Sequence, residues 1–135
     1  RLASLGDEVL VEQMVTGAVA ELIIGVTRDP QFGLALVVGA GGVLTELLHD
    51  SAALLLPTTR DEISTALQSL KAWKLVTGFR GRSGDAAAVI TAVEAVARFA
   101  EAHADTLEEL DVNPLLVLPG SAVAVDALVR MRTQQ

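Results

Sequence analysis

The sequence predicts an α+β fold: a mostly antiparallel sheet with two main helices packed on one face. The first observation is the order of patterns, because apolar β-branched runs come first, two stretches of helical spacing follow, and two further apolar runs end the chain. The second is the closeness of the early runs, since a parallel crossover needs a dozen or more connecting residues. We therefore expect the 135 residues, 1–135, to form a single lobe without internal repeats.

Five apolar runs make up the first part of the predicted sheet. They are residues 9–15, 21–27, 34–38, 43–48 and 52–56, the last closed by Pro57. Between the third and fourth runs, the sequence Gly-Ala-Gly-Gly either makes a tight bend or lets a ligand approach the backbone. It lacks the spacing of a dinucleotide fingerprint and the Lys-Ser/Thr pair of a P-loop, so it is a weak phosphate signal by itself.

Two helices are predicted next. Thr59 and Glu62 have the spacing of a capping box, and apolar residues recur at helical spacing as far as Trp73. A basic glycine-rich loop at 78–84 leads to a second helix, predicted over 85–103. Its inward stripe consists of Val89, Val93, Val96 and Ala100.

The last two apolar runs, 108–115 and 122–131, are separated by the turn residues Pro119 and Gly120. If these two residues form the whole loop, Asn113 lies directly opposite Asp126 on the neighbouring strand. A three-residue loop with a bulge is the alternative, because proline before glycine fits the primed turns of hairpins poorly.

Residues 111 and 113 indicate that this hairpin could hold a metal ion. Asp111 and Asn113 point to the same face of a strand, since side chains alternate. Together with Asp126 they offer two carboxylates and one amide oxygen, a set that suits a hard cation such as Mg²⁺. The alternative interpretation is that Asn-Pro ends a strand, and that Asp126 is an ordinary residue at a strand edge.

Composition excludes several functional classes. A formal net charge of −7 argues against a nucleic-acid partner, and the absence of cysteine excludes disulfides, thiolate catalysis and cysteine-ligated metals. The uncharged apolar stretch 32–45 is too short to span a bilayer, so we expect no membrane partner and a cytoplasmic protein. No signal peptide pattern is visible, and the missing initiator methionine indicates that the chain starts within a longer protein.

Four segments in this order resemble the ATP-grasp region of NDP-forming acyl-CoA synthetases, which are relatives of the succinyl-CoA synthetase β subunit. The segments are ELIIGVTRDPQFG (21–33), GAGGVLTE (39–46), KLVTGFRG (74–81) and ELDVNPL (109–115). The resemblance extends from about Val9 to Met131, with Leu34 where relatives usually have proline. It implies the C-terminal lobe of a unit whose two lobes clasp a nucleotide.

The resemblance also implies cofactors and the residues that hold them. The cofactors are Mg²⁺ and ATP or ADP. Glu21 is implied to bind the ribose hydroxyls. The residues implied to border the adenine are Glu12, Met14 and Val15. Asn113 and Asp126 match the family's Mg²⁺ ligands, and Asp111 lies at a position that is often acidic in the wider family.

Parts of the family's machinery have no match in this chain. They are the first lobe with its phosphate-gripping lysine, the CoA-binding region and the phosphorylated histidine; neither His49 nor His103 corresponds to the latter. The resemblance thus implies a fragment, inactive alone and without catalytic residues, of an enzyme that joins a carboxylic acid to CoA through acyl-phosphate and phosphohistidine. Its partners are the missing lobe and CoA-binding domains, and unpaired apolar sheet edges favour a homo-oligomer.

Two other functions remain open at this point. The chain is either a regulatory, ligand-sensing domain of a protein acetyltransferase, or a structural lobe whose polar patch is incidental.

Overall fold

The computed structural model describes residues 8–42 and 45–133, and it has the predicted α+β fold. The strands in these ranges are β1 (Ala20–Asp29), β2 (Gly33–Ala40), β3 (Ser51–Leu55), β4 (Leu107–Leu118), β5 (Ser121–Ala124) and β6 (Ala127–Met131). The helices are α1 (Thr45–Leu48), α2 (Arg60–Gln68), α3 (Trp73–Thr77) and α4 (Ala86–Ala102). None of these helices is both long and apolar enough to cross a membrane.

All strand pairs in the sheet are antiparallel, and for the early strands the short connections predicted this. The order is β3-β2-β1-β4-β5, and β6 also pairs with β4. The turn between β1 and β2 is closed by the carboxylate of Asp29, which accepts hydrogen bonds from the N–H groups of Gln31 (2.7 Å) and Phe32 (2.9 Å). In the strand order given above, β1 and β4 lie at the centre of the sheet.

One face of the sheet carries the core. In β1, Leu22, Ile24 and Val26 are buried and alternate with more exposed residues, which is the pattern of a strand with one covered face. α2, α3 and α4 cover this face, as predicted for the two main helices. The buried helical residues are Ile63, Leu67, Trp73, Val76, Val89, Val93, Ala97 and Ala100. We call the opposite surface, which carries Glu21, Ile23 and Gly25, the open face.

The strand predicted at 9–15 is wrong. Residues 8–18 have no regular structure, and Val9 and Val11, whose apolar side chains a strand of the sheet would bury, are exposed. An extended segment becomes a strand only where a neighbour accepts its backbone hydrogen bonds. The first such contact is the N–H of Val19, which donates to the carbonyl of Val117 (2.8 Å).

The strand predicted at 43–48 is also wrong in its described part. Thr45–Leu48 is the short helix α1, and residues 43 and 44 lie outside the described ranges. The sheet ends where Gly41 donates to the carbonyl of Glu21 (2.8 Å), and Gly42 follows with a φ of +77°. This left-handed residue turns the chain away from the sheet, so the apolar run cannot continue β2.

The first predicted helix is interrupted. α2 ends at Gln68 and α3 begins at Trp73, because the N–H groups of Lys71 and Ala72 are bound by the carboxylate of Asp50. The second predicted helix is confirmed as α4, with Ala97 more buried than Val96 on its inward stripe.

The predicted capping box of α2 is confirmed and provides a stability test. Thr59 Oγ1 accepts the N–H of Glu62 (3.3 Å), and the Glu62 carboxylate accepts the N–H of Thr59 (2.8 Å), which lowers the pKa of Glu62. Thr59→Ala should lower the free energy of unfolding by about 1 kcal/mol, because the cap is lost. Urea unfolding measures this, with Thr59→Ser as the conservative control. An unchanged midpoint for Thr59→Ala would show that the cap does not contribute.

Candidate functional site

Glu21 lies at the start of β1, beside the glycine-rich end of β2. A Cβ atom on Gly42 would lie 3.0 Å from Glu21 Oε2, and one on Gly41 would lie 3.1 Å from the Glu21 carbonyl carbon. The two glycines therefore leave room for the Glu21 side chain. The Gly-Ala-Gly-Gly sequence forms a tight bend against Glu21, and Gly41 and Gly42 also border the cavity described next, so the second interpretation, approach of a ligand to the backbone, stays open.

A cavity of about 470 Å³ opens next to this bend, and Glu21 stands on its wall. Its volume is in the range of small-molecule sites. The cavity lies between the end of β2 and the α2–α3 segment. The apolar residues that line it are Ala40, Leu48, Ala72, Leu75 and Phe79. Lys71 and Lys74 also contribute to its wall.

Asp50 connects the two sides of this cavity. Its side chain is only 7% exposed, and its two carboxylate oxygens accept hydrogen bonds from the N–H groups of Lys71 (2.7 Å) and Ala72 (2.8 Å). Hydrogen bonds to an ionised acceptor are shorter and stronger than neutral ones. The bend between α2 and α3 is thereby fixed to the start of β3.

The second polar cluster is on the hairpin of β4 and β5. Pro119 and Gly120 form a two-residue turn, Leu118 pairs with Ser121, and Asn113 donates its N–H to the carbonyl of Asp126 (3.1 Å). The predicted register is confirmed, and the bulged three-residue loop does not form. β6 continues in the same register as far as the pair of Glu109 with Arg130.

The predicted Mg²⁺ residues lie on the open face. Val112 is buried in the core, whereas Asp111 before it is half-buried and Asn113 after it is exposed. Asp126, across from Asn113, is also exposed. In the described residues no three acidic or histidine side chains come together as a metal site. Asp111, Asn113 and Asp126 would offer Mg²⁺ two carboxylates and one amide oxygen, and phosphates and water would have to fill its other positions.

The two polar clusters are close along the sheet. Leu22 pairs with Leu115 and Ile24 with Val112, so Asn113 lies across from the centre of this part of β1. Two residues of strand separate Glu21 from that level, about 7 Å along β1, while Asn113 lies one strand and Asp126 two strands away across the sheet, at about 5 Å per strand. The open face thus carries a carboxylate at one point and a candidate metal pair roughly 8 to 12 Å away.

The residues implied to border the adenine are placed differently. Glu12 and Met14 are exposed and Val15 is half-buried, and none of the three is among the residues that line the cavity. The end of their segment is held by Arg82, whose Nη2 donates to the carbonyl of Gly17 (3.3 Å). The structure brings Glu21 to the cavity but does not bring these three there.

The comparison with protein-family models decides the family. A model described as an ATP-grasp domain matches residues 3–131. The chain belongs to the ATP-grasp family. The family resemblance and the predicted fold class are therefore confirmed.

This ATP-grasp chain is similar to archaeal CoA ligases. It is 37% identical over 121 residues to the ADP-forming acetate–CoA ligase I of Archaeoglobus fulgidus, which covers 89% of this chain and 17% of that protein. It is 34% identical over 115 residues to the β subunit of the ADP-forming acetate–CoA ligase II of Pyrococcus furiosus, covering 83% of this chain and 49% of that subunit.

A solved structure of the same kind superposes on the ATP-grasp chain. The dinucleotide forming acetyl-coenzyme A synthetase 1 of Ca. Korarchaeum cryptofilum, in complex with coenzyme A and Mg-AMPPCP, matches with a TM-score of 0.79 at 35% identity. The match covers 88% of this chain and 55% of that one. The chain thus spans about half or less of these relatives. The regulatory alternative finds no support among them, since they are CoA ligases or synthetases.

Sequence reasoning missed two residues of this site. Asp50 gave no local signal, because its hydrogen-bond partners are 21 and 22 positions away. Phe79 belonged to a quoted motif, but its place in the cavity wall depends on residues of other elements, which the motif does not reveal. His49 is exposed after α1, and His103 ends α4 with its ring stacked on Phe99 (4.3 Å between centroids).

Proposed function

We propose that this chain is the Mg-ATP-binding C-terminal lobe of an ADP-forming acid–CoA ligase. The observation that carries the proposal is the spacing on the open face, where Glu21 and the Asn113–Asp126 pair are separated by about the length from a ribose to its outer phosphates. The similarity to CoA ligases over more than four-fifths of the chain supports it.

In this proposal, different residues bind different parts of the nucleotide. The Glu21 carboxylate accepts hydrogen bonds from the ribose hydroxyls. Asn113 and Asp126, with Asp111 beside them, hold Mg²⁺, which when bound neutralises charge on the phosphates. Glu12, Met14 and Val15 border the base.

The lobe contributes positioning and charge, and no nucleophile. The whole enzyme joins a carboxylic acid to CoA with ATP, giving ADP and phosphate through acyl-phosphate and phosphohistidine, in the cytoplasm. The first ATP-grasp lobe covers the open face, where Ile23 is only partly buried. CoA-binding domains complete the protein, and the exposed Leu128 and Val129 of β6 support a homo-oligomer.

The first test is the affinity of the full-length protein for Mg-ATP. Glu21→Ala should weaken binding about 10- to 100-fold, because charge-assisted hydrogen bonds to the ribose are lost. Titration calorimetry measures this. Asp105→Ala is the matched control, since Asp105 is an exposed carboxylate in the α4–β4 turn and accepts none of the hydrogen bonds that fix the fold.

The outcomes separate the alternatives. Loss of binding in Glu21→Ala and not in Asp105→Ala excludes the structural lobe with an incidental polar patch. A wild-type protein that does not bind Mg-ATP would overturn the proposed function itself.

A further inference from the structure

β1 has a single glycine, Gly25, and the register of the sheet places it beside the candidate metal residues. It pairs with Val37 of β2 on one side and with Asp111 of β4 on the other. Its neighbours Ile24 and Val26 are buried in the core, so residue 25 belongs to the open face, where Asp111 also lies. The side-chain layer of the open face therefore has a gap directly next to Asp111.

A glycine within a strand weakens the strand, so its presence in β1 needs a physical reason. Glycine loses more backbone freedom on folding than any other residue, and it has no side chain that could pack. Such a glycine is accounted for by a left-handed φ, by a bulge, by a close contact within the fold, or by a ligand or second backbone that approaches closely. The first three reasons do not apply to Gly25.

Neither backbone conformation nor packing requires glycine at position 25. Its φ lies outside the left-handed region, and a Cβ atom built there would meet nothing nearer than the carbonyl oxygen of Leu110, at 4.0 Å. Its pairing with β2 runs without a shift from Leu22 to Asp29, and the shift in the pairing with β4 ends at Ile24. The described fold would therefore accept an alanine at this position.

The other glycines of β1 and β2 have reasons within the fold. Gly33 has a φ of +85° at the turn, and a Cβ atom on Gly39 would lie 3.0 Å from the carbonyl oxygen of Asp50. The described residues supply no such reason for Gly25. What remains is the close approach of a ligand or of another backbone to the open face.

A side chain at residue 25 would occupy space next to the candidate metal residues. It would begin about 5 Å from the Cβ atom of Asp111, because directly paired residues of antiparallel strands are that close. Two residues further along β4, Asn113 lies opposite the neighbouring part of β1. A carboxylate and an amide oxygen are therefore both next to the gap.

β4 has a bulge at the same place. The register of β4 on β1 shifts between Leu22 and Ile24, where Asn113 and Pro114 lie opposite the single residue Ile23. Bulges interrupt regular pairing, change the direction of a side chain and are common beside active sites. Two irregular features of neighbouring strands, the bulge and the gap, thus lie together on the open face.

We propose that Gly25 is a specificity-determining residue of the proposed nucleotide site, whose missing side chain leaves room beside Asp111 for the Mg²⁺-bound phosphates. This inference rests on the proposed function. The class of ligand that lies over residue 25 is a polyphosphate. Gly25 contributes by shape alone, because β1 has a neighbour on each side and its backbone polar groups are directed at those strands.

The test measures the affinity of the full-length protein for Mg-ATP and for magnesium tripolyphosphate by calorimetry. Gly25→Ala should weaken both about 10- to 100-fold, because the added methyl group overfills the space that the phosphates need. Gly25→Val, with a larger side chain, should weaken both further. Gly120→Ala is the matched control and should bind both like wild type, because a Cβ atom on Gly120 also meets nothing within 4 Å but lies at the tip of the β4–β5 turn.

Thermal unfolding of the unliganded full-length protein is the second readout. Gly25→Ala should keep or raise the Tm, because alanine has less backbone freedom to lose and its side chain meets open space. Weaker binding by a protein of undiminished stability is therefore the expected result. A lower Tm would overturn the proposal, since it would show that another part of the protein, and not the ligand, packs over Gly25.

Two binding results would also overturn the proposal. One is a Gly25→Ala protein that binds Mg-ATP like wild type. The other is weakened binding of ATP with unchanged binding of tripolyphosphate, which would assign the gap to another part of the nucleotide. In both cases the proposed function stands, because it fails only if the wild-type protein does not bind Mg-ATP or if Glu21→Ala leaves that binding unchanged.

Discussion

Asp126→Ala in the full-length protein should reduce turnover of Mg-ATP at least about 100-fold and leave the fold intact. A bound divalent cation contributes several kcal/mol to charge stabilisation in phosphoryl transfer, and the variant removes the carboxylate of the Asn113–Asp126 pair. The side chain is exposed at the junction of β5 and β6, and the hydrogen bond across to Asn113 uses the backbone of residue 126. The substitution therefore removes a metal ligand without removing a core contact.

Steady-state assays over a range of Mg²⁺ concentrations measure this effect. Asp105→Ala is the matched control, because Asp105 is also an exposed carboxylate but lies in the α4–β4 turn, away from the β5–β6 junction. Asp111→Ala then separates a two-residue from a three-residue ligand set, since only a third ligand would raise the Mg²⁺ requirement further. Unchanged turnover in Asp126→Ala would show that the metal assignment is wrong.

Asp50→Ala should lower the free energy of unfolding by about 2 to 4 kcal/mol. The substitution removes two charge-assisted hydrogen bonds at 2.7 and 2.8 Å, and it leaves the N–H groups of Lys71 and Ala72 without their acceptor. The site is buried, so water cannot fully replace the carboxylate.

Urea unfolding of this chain measures the loss. Asp50→Asn keeps one acceptor oxygen and should lose less, whereas the exposed Asp105→Ala should change the free energy of unfolding by less than about 0.5 kcal/mol. If Asp50→Ala unfolds at the wild-type urea concentration, the carboxylate does not fix the α2–α3 bend.

The hairpin and the caps could be predicted because their causes are local. Two turn residues, Pro119 and Gly120, set the register that places Asn113 across from Asp126. The capping box of Thr59 and Glu62 also needs only neighbouring atoms, and the order of short and helical patterns sets the fold class.

The errors have non-local causes. Residues 9–15 and 43–48 have the composition of strands, but a strand also needs a free neighbouring edge, which sequence spacing does not reveal. The break in the first predicted helix depends on Asp50, which competes for the N–H groups of Lys71 and Ala72 from another element. The apolar wall of the cavity combines residues of β2, α1, α3 and the loop after α3, so it could not be predicted from any one of these segments.

The two-residue turn at Pro119 and Gly120 makes the candidate metal pair sensitive to the length of the chain. Deleting one residue between 121 and 125 would keep every ligand in the sequence, but it would reverse the side of the strand on which Asp126 lies. Substitutions at the tip of the turn do not change the side of the strand on which Asp126 lies. We therefore expect insertions and deletions in this hairpin to disrupt the candidate metal pair more than substitutions do.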